Sequence, residues 1–215
     1  KSYYENGIDE IVFMDAVASL YDRNNLFGVI EKACRNVFVP IALGGGIRTI
    51  SDISTALNSG ADKVVINTGA VRNIYLISEA AARFGSQCIV GSIEAKRIDH
   101  HWEAYVDNGR EVTGLDVVEW AAKLEEAGVG ELMITSVDME GTQRGFDTAL
   151  TTAVQGNTTR PIIVSGGYGH PQHLDALMKT GHPSAVATAA ALHYKKQTVT
   201  EIKNQIAQYE LEGMR

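Results

Sequence analysis

Cysteine is scarce: the 215-residue chain has two, Cys34 and Cys88, far from the close spacing of a metal site. Free or buried thiols of this kind suit a reducing cytoplasm. Long apolar runs are missing as well, and none approaches the ~20 residues that cross a bilayer. The opening KSYYENGIDE is polar and lacks the apolar segment of a signal peptide. Basic residues are outnumbered, 19 Lys and Arg against 26 Asp and Glu, for a net charge of −7. That balance argues against a nucleic-acid partner, whose phosphates need a basic face. It leaves room for a phosphorylated small molecule, because a few backbone amides hold one phosphate whatever the global charge. No linker, low-complexity tract or compositional shift divides the chain. At 45% hydrophobic and 21% charged residues it reads as one soluble domain over 1–215.

Catalytic signatures of the commoner kinds are also lacking. There is no G-x-S-x-G elbow or Ser-His-Asp order of a hydrolase. None of the six histidines joins cysteines or carboxylates at zinc spacing, so neither a metal nor a cofactor is expected. His100 and His101 fall in RIDHHWEAYVDNGREVTG, which alternates around an Asn-Gly turn and predicts a small hairpin. His170, His173 and His182 fall in loops or helix starts, and His193 reads as a packed or capping residue.

What is present is a string of strand-then-helix units. Strands are expected over Glu10–Asp15, Val37–Leu43, Lys63–Thr68, Cys88–Glu94, Glu131–Asp138, Pro161–Ser165 and Ala185–Ala190. Most are continuous apolar runs, as in a parallel sheet covered on both faces. Between them lie amphipathic stretches such as Ile50–Leu57, Asn73–Phe84, Leu115–Ala127 and Pro171–Met178. Many run to a glycine stop at Gly60, Gly85, Gly128 or Gly181.

The chain also repeats itself at an offset of 121 residues. PIALGGGIRTISDISTALNSGADKVVINTGA aligns without gaps on PIIVSGGYGHPQHLDALMKTGHPSAVATAAA, so that Pro40 meets Pro161, Gly45 meets Gly166 and Gly46 meets Gly167. A repeat of this length holds four strand–helix units, and two copies make the eight of a (β/α)8 barrel. The partner of Cys88–Glu94 falls upstream of residue 1. The expectation is therefore an α/β TIM barrel of two half-barrels, incomplete at its N-terminus by the first βα unit. A naturally open seven-stranded barrel is the alternative.

In such a barrel the working face is the carboxyl end of the strands. Two glycine turns sit there, Gly44–Gly46 and Gly166–Gly167, each followed one unit later by small residues at Asn67–Ala70 or Thr188–Ala190. Glycine lets backbone approach an anion closely. The duplication thus predicts two phosphate cradles facing across the mouth, and a ligand with a phosphate at each end. Glu94 closes its strand as a general acid/base or as a partner for Lys96 or Arg97. Asp15 and Asp138 also close strands, Asp138 being expected to cap a helix or order a loop. Glu140 and Asp147 lie on a glycine-broken loop within reach of a substrate.

LGGGIRTISD, GADKVVINTGAV, ISEAAARFGSQCIV, EAKR, GLDVVEWA, GELMITSVDMEGTQRGFD and the SGGYG turn together resemble the cyclase subunit of imidazole glycerol phosphate synthase, from Tyr3 to about Lys203. The FGSQCIV and TSVDMEGTQRGFD blocks carry the resemblance. The histidine-pathway isomerase that shares the half-barrel repeat is similar more distantly and lacks the FGSQ block. The resemblance implies a lyase that takes ammonia from a partner glutaminase, in a heterodimer, and closes an imidazole ring on a bisphosphorylated precursor. It implies that Gly45, Gly46, Asn67 and Thr68 hold one phosphate, and Gly166, Gly167, Ala189 and Ala190 the other. Thr135, Glu140, Gly141 and Ser165 would line the mouth beside the substrate. Glu10, Lys63 and Glu131 match the ring through which ammonia passes, and Asp62 a position facing the glutaminase.

Departures from the family pattern stand out. The family uses two aspartates as acid and base, and the first lies on the strand this chain lacks. The second is Glu94, whose extra methylene carries the carboxylate roughly 1.3–1.5 Å further, a displacement large enough to matter in catalysis. Glu140 likewise replaces an aspartate, and Ala190 replaces a serine. These leave two other readings open: a cyclase-like subunit of a sugar amidotransferase in surface-polysaccharide synthesis, and a noncatalytic subunit that anchors a glutaminase.

Overall fold

Short β-branched runs separated by amphipathic stretches build a curled parallel sheet. The computed structural model describes residues 1–15 and 27–213. Its strands are β1 (Ile11–Met14), β2 (Ile41–Gly44), β3 (Lys63–Ile66), β4 (Ile89–Ile98), β5 (His101–Val106), β6 (Glu111–Asp116), β7 (Glu131–Ser136), β8 (Ile162–Ser165) and β9 (Ala185–Ala187). The helices are α1 (Ser2–Glu5), α2 (Phe27–Cys34), α3 (Ile50–Asn58), α4 (Thr68–Arg72), α5 (Tyr75–Phe84), α6 (Val117–Ala127), α7 (Thr148–Gln155), α8 (Pro171–Thr180), α9 (Ala190–His193) and α10 (Val199–Gly213). Seven strands pair in parallel in the order β1-β2-β3-β4-β7-β8-β9, while β5 and β6 form the expected hairpin on the end of β4. The result is the TIM-barrel-like α/β fold that the repeat predicts, with seven parallel strands among the described residues.

Side chains on a strand alternate between faces, and here the two faces have different tasks. The outward set, including Leu43, Val64, Ile66, Ile89, Ile93, Leu132, Ile134 and Val164, packs under Ile53, Ile77, Leu124, Leu150 and Leu174 of the helices in one large core. The inward set forms layers. Ala42, Val65, Val90 and Met133 make a small buried cluster with Val12, Ile163 and Ala187. Below it, at the amino ends of the strands, stand Glu10, Lys63 and Glu131; above it stand Met14, Glu94, Thr135 and Ser165.

The sheet ends at β1 and β9, and a cleft of about 540 Å³ lies between them, lined by Val12, Val186, Ala187 and, from α10, Val199, Ile202 and Ile206. Lys203 of α10 ties the two ends together by donating to the Gly7 carbonyl at 3.1 Å and to Asp9 at 2.5 Å.

Several boundaries differ from expectation for local reasons. β4 continues four residues past Glu94 because its rim pairs antiparallel with β5, Ile98 facing His101. The third strand stops at Ile66 because Thr68 opens α4, and α4 is separated from α5 by an extended Asn73 at φ −153°. Helix starts follow the sequence closely. Thr49 and Asp52 form a reciprocal capping box on α3, and Asp116 accepts from Val118 and Glu119 to start α6.

The internal repeat is visible in backbone detail. Gly45 and Gly166 hold φ of +94° and +95°. A Cβ on Gly45 would lie 2.4 Å from the Asp15 carbonyl oxygen, and one on Gly166 would lie 2.8 Å from that of Ser136. Asp15 and Ser136 are themselves 121 residues apart, so each half closes its glycine turn against the end of the neighbouring strand in the same way.

Candidate functional site

The mouth is assembled on the register of three strands. Glu94 of β4 sits beside Thr135 of β7, and Thr135 beside Ser165 of β8, so the three share one row at the carboxyl edge. Partners in register project to the same face. Burial pushes the Glu94 carboxyl above the usual carboxylate range, and the charge of Asp107 pushes it the same way. Two hydrogen bonds restrain that rise: the Gly109 amide donates to Glu94 Oε2 at 2.7 Å, and the Asn67 side chain donates as well. The cations adjacent in sequence do not engage it. Lys96 lies over the Tyr105 ring at 5.5 Å and Arg97 over the Trp102 ring at 5.4 Å, where both serve the hairpin instead.

Glu94 forms one wall of a narrow cleft. Gly45, Gly46, Asn67 and Thr68 line it together with Met14, Asp15, Arg48, Arg72 and Asn108. The four residues expected to hold a first phosphate are thus gathered beside the expected acid/base. The enclosed volume is about 50 Å³, because the β5–β6 tip leans over the opening. Asn67 Nδ2 donates to the Tyr105 carbonyl at 3.1 Å, and the Asp107 amide donates to Thr68 Oγ1 at 3.3 Å. Asp107, Asn108, Gly109, Arg48 and Arg72 were not expected at the site. The Asn-Gly signal predicts the hairpin but carries no information on where its tip lands.

The second set lies across the mouth and does not line that cleft. Gly166 and Gly167 are buried under the loop after β7: a Cβ on Gly167 would sit 1.9 Å from the Gly145 carbonyl oxygen. The Gly145 amide in turn donates to the Gly167 carbonyl at 2.9 Å. Glu140 extends its carboxylate over Gly166, and partial burial pushes its carboxyl upward. Gly141, at φ +71°, is exposed on the same loop. Ala189 precedes α9 and Ala190 opens it. Asp138 orders a loop as expected, accepting from the Arg97 amide at 2.8 Å. Asp147, expected within reach of a substrate, is already committed: it accepts from Leu150 at 3.0 Å to cap α7 and from the Trp102 indole at 2.9 Å.

At the opposite end of the strands, Lys63 Nζ donates to Glu10 at 2.7 Å and to both oxygens of Glu131 at 2.8 and 2.9 Å. Burial alone would lower the Lys63 pKa, but the two carboxylates outweigh it and hold the ammonium above its ordinary value. Glu10 Oε1 is buried without a partner among the described residues. Asp62, exposed on this face, accepts from the Ile41 amide at 2.8 Å and so fixes the entrance to β2. Among the described residues no group of three His, Cys, Asp or Glu could hold a metal ion.

A curled parallel sheet with apolar middle layers and polar groups at the carboxyl ends defines a barrel-type α/β protein, a class whose active sites lie at the carboxyl face of the strands. A family model described as Histidine biosynthesis protein matches residues 1–198, and the chain belongs to that family. Its members are histidine-pathway enzymes, an isomerase and a cyclase.

Proposed function

We propose that the protein is the ammonia-dependent cyclase of its family. In this reading it forms imidazole glycerol phosphate and aminoimidazole carboxamide ribonucleotide from a bisphosphorylated phosphoribulosyl-formimino precursor. The observation that carries the reading is the gathering of Gly45, Gly46, Asn67 and Thr68 in one cleft with a carboxyl, Glu94, whose surroundings favour its protonated form. Burial favours the protonated carboxyl, the form from which a general acid gives its proton.

One phosphate rests on Gly45–Gly46 and Asn67–Thr68. The other lies across the mouth at Gly166–Gly167 and Ala189–Ala190, so that the reacting centre spans the row of Glu94, Thr135 and Ser165. Glu140 and Gly141 cover the second end. Ammonia released by a partner glutaminase docked near Asp62 passes the ring of Glu10, Lys63 and Glu131. It then crosses the apolar layer of Val12, Val65, Val90 and Met133 as the neutral molecule. Glu94 shuttles the proton during ring closure.

A second reading is favoured by one specific feature, the longer carboxylates at both Glu94 and Glu140: the same ammonia transfer onto a nucleotide-linked or lipid-linked sugar. The experiment is a direct assay of the full-length protein with ammonium and each acceptor in turn. Turnover of the bisphosphorylated precursor is the expected result. Turnover of the sugar acceptor alone would transfer the chemistry to the second reading. Stimulation of a glutaminase with no turnover of either acceptor would leave only an anchoring role.

A further inference from the structure

The hairpin tip presents a charge that its own geometry does not require. Asp107, Asn108 and Gly109 take φ of +50°, +63° and +69°, a run of left-handed residues that asparagine and glycine satisfy more readily than aspartate. The residue at the start of this run is nevertheless an acidic one, and it is only 6% exposed. Its Oδ1 has no hydrogen-bond partner among the described residues, and its Oδ2 reaches the Arg72 guanidinium at 3.6 Å, beyond hydrogen-bond length. Burying a carboxylate on so loose a pairing is unfavourable. Arg72 stands at the last turn of α4 and lines the cleft with Thr68, whose hydroxyl oxygen accepts from the Asp107 amide.

We infer that Arg72 is a ligand for a phosphate monoester at the first glycine turn, and that the Asp107 carboxylate is a resident anion which the phosphate displaces. The inference rests on the phosphate reading of this cleft. A phosphate oxygen offers Arg72 a closer, paired geometry that the 3.6 Å contact lacks. The Thr68 hydroxyl, whose oxygen accepts from the Asp107 amide, turns its own O–H to the same phosphate. Displacing Asp107 lifts the tip, and lifting the tip removes the Gly109 amide from Glu94 Oε2. Occupation of the cradle is thereby coupled to exposure of the acid/base, and the opening widens beyond its present ~50 Å³. Asp107 is a positioning residue here: it touches neither the reacting atoms nor, once displaced, the phosphate.

The test is a titration of the full-length protein with inorganic phosphate, read by calorimetry and by the amide resonances of Gly46, Thr68 and Gly109. Asp107→Asn keeps a residue that tolerates the left-handed turn, so the fold is retained. It is expected to tighten phosphate binding roughly tenfold, and Arg72→Gln in the same background to weaken it by a similar factor. In the unmodified protein, phosphate is expected to move the Gly109 resonance together with those of Gly46 and Thr68. Binding that moves Gly46 and Thr68 but is indifferent to both substitutions, or leaves Gly109 unmoved, overturns this inference and leaves the phosphate reading intact. Absence of phosphate binding in every form overturns both.

Discussion

Glu94→Gln is expected to lower turnover by roughly 10²–10⁴-fold, the usual contribution of a general acid/base, while the affinity for phosphate stays within about twofold. The amide keeps an acceptor for the Gly109 N–H that now bonds Oε2 at 2.7 Å, so the mouth retains its shape. The same substitution is expected to make the protein more stable at neutral pH. Burial raises the Glu94 pKa above its unfolded value, so the folded state binds the proton more tightly than the unfolded chain. Whatever stability this contributes is complete below the ordinary carboxylate range and is lost as pH rises through the raised pKa. At neutral pH burial works against the charged form, and replacing it with a neutral amide should raise Tm by a few degrees, the scale of a single stabilising substitution. Thermal melts at pH 4 and pH 7 check the sign: the gain should appear at pH 7 and shrink at pH 4. Wild-type turnover in the variant would remove Glu94 from the mechanism.

Lys63→Met should produce the largest loss of stability. It leaves Glu10 and Glu131 facing one another across the base of the barrel without the ammonium that joins them at 2.7 and 2.8 Å. The three side chains are 17–25% exposed, so the loss should be about 2–4 kcal/mol, below that of a fully buried pair. The sign with pH is specific. Because the Lys63 pKa is raised, the stability it provides is present below its unfolded value of 10.5 and disappears only as pH climbs through the folded pKa. Thermal melts of both forms at neutral pH measure the loss, since the variant leaves the two carboxylates without a counter-charge. If ammonia travels through this ring, glutamine-dependent turnover with the partner should fall much further than turnover with added ammonium. Equal loss with both nitrogen sources would assign the ring a purely structural role.

Much of this architecture was legible in the sequence because the repeat operates at the level of backbone geometry. Gly45 and Gly166 are glycines for one shared reason, the carbonyl of the preceding strand end that leaves no room for a Cβ. That reason is local, so it leaves a local signature, and aligned glycines 121 residues apart reveal it. The same holds for the Asn-Gly hairpin. The inward-facing place of Glu94 in the row with Thr135 and Ser165 follows from the strand period, although its strand runs on to Ile98 instead of closing at Glu94.

What the sequence did not reveal depends on contacts between distant segments. Asp107 reaches Arg72 and Thr68 only because the hairpin folds back over β3 and α4, and nothing near residue 107 encodes that direction. Asp147 had the composition of a loop acid within reach of a ligand. Its two oxygens are instead taken by the backbone of its own helix and by Trp102, 45 residues away. The second glycine turn is a mixed case. Its position was predicted, yet the smallness of Gly167 serves the Gly145 carbonyl that rests on it, a packing demand that an anion-binding turn would share in appearance.

A crystal of the full-length protein soaked in inorganic phosphate addresses the whole scheme in one experiment. Density is predicted at both ends of the mouth, beside Gly46 and Thr68 with the hairpin tip displaced, and beside Gly167 and Ala190. An unaltered mouth with no anion at either turn would contradict the double-phosphate substrate and, with it, the assignment of Glu94 to its turnover.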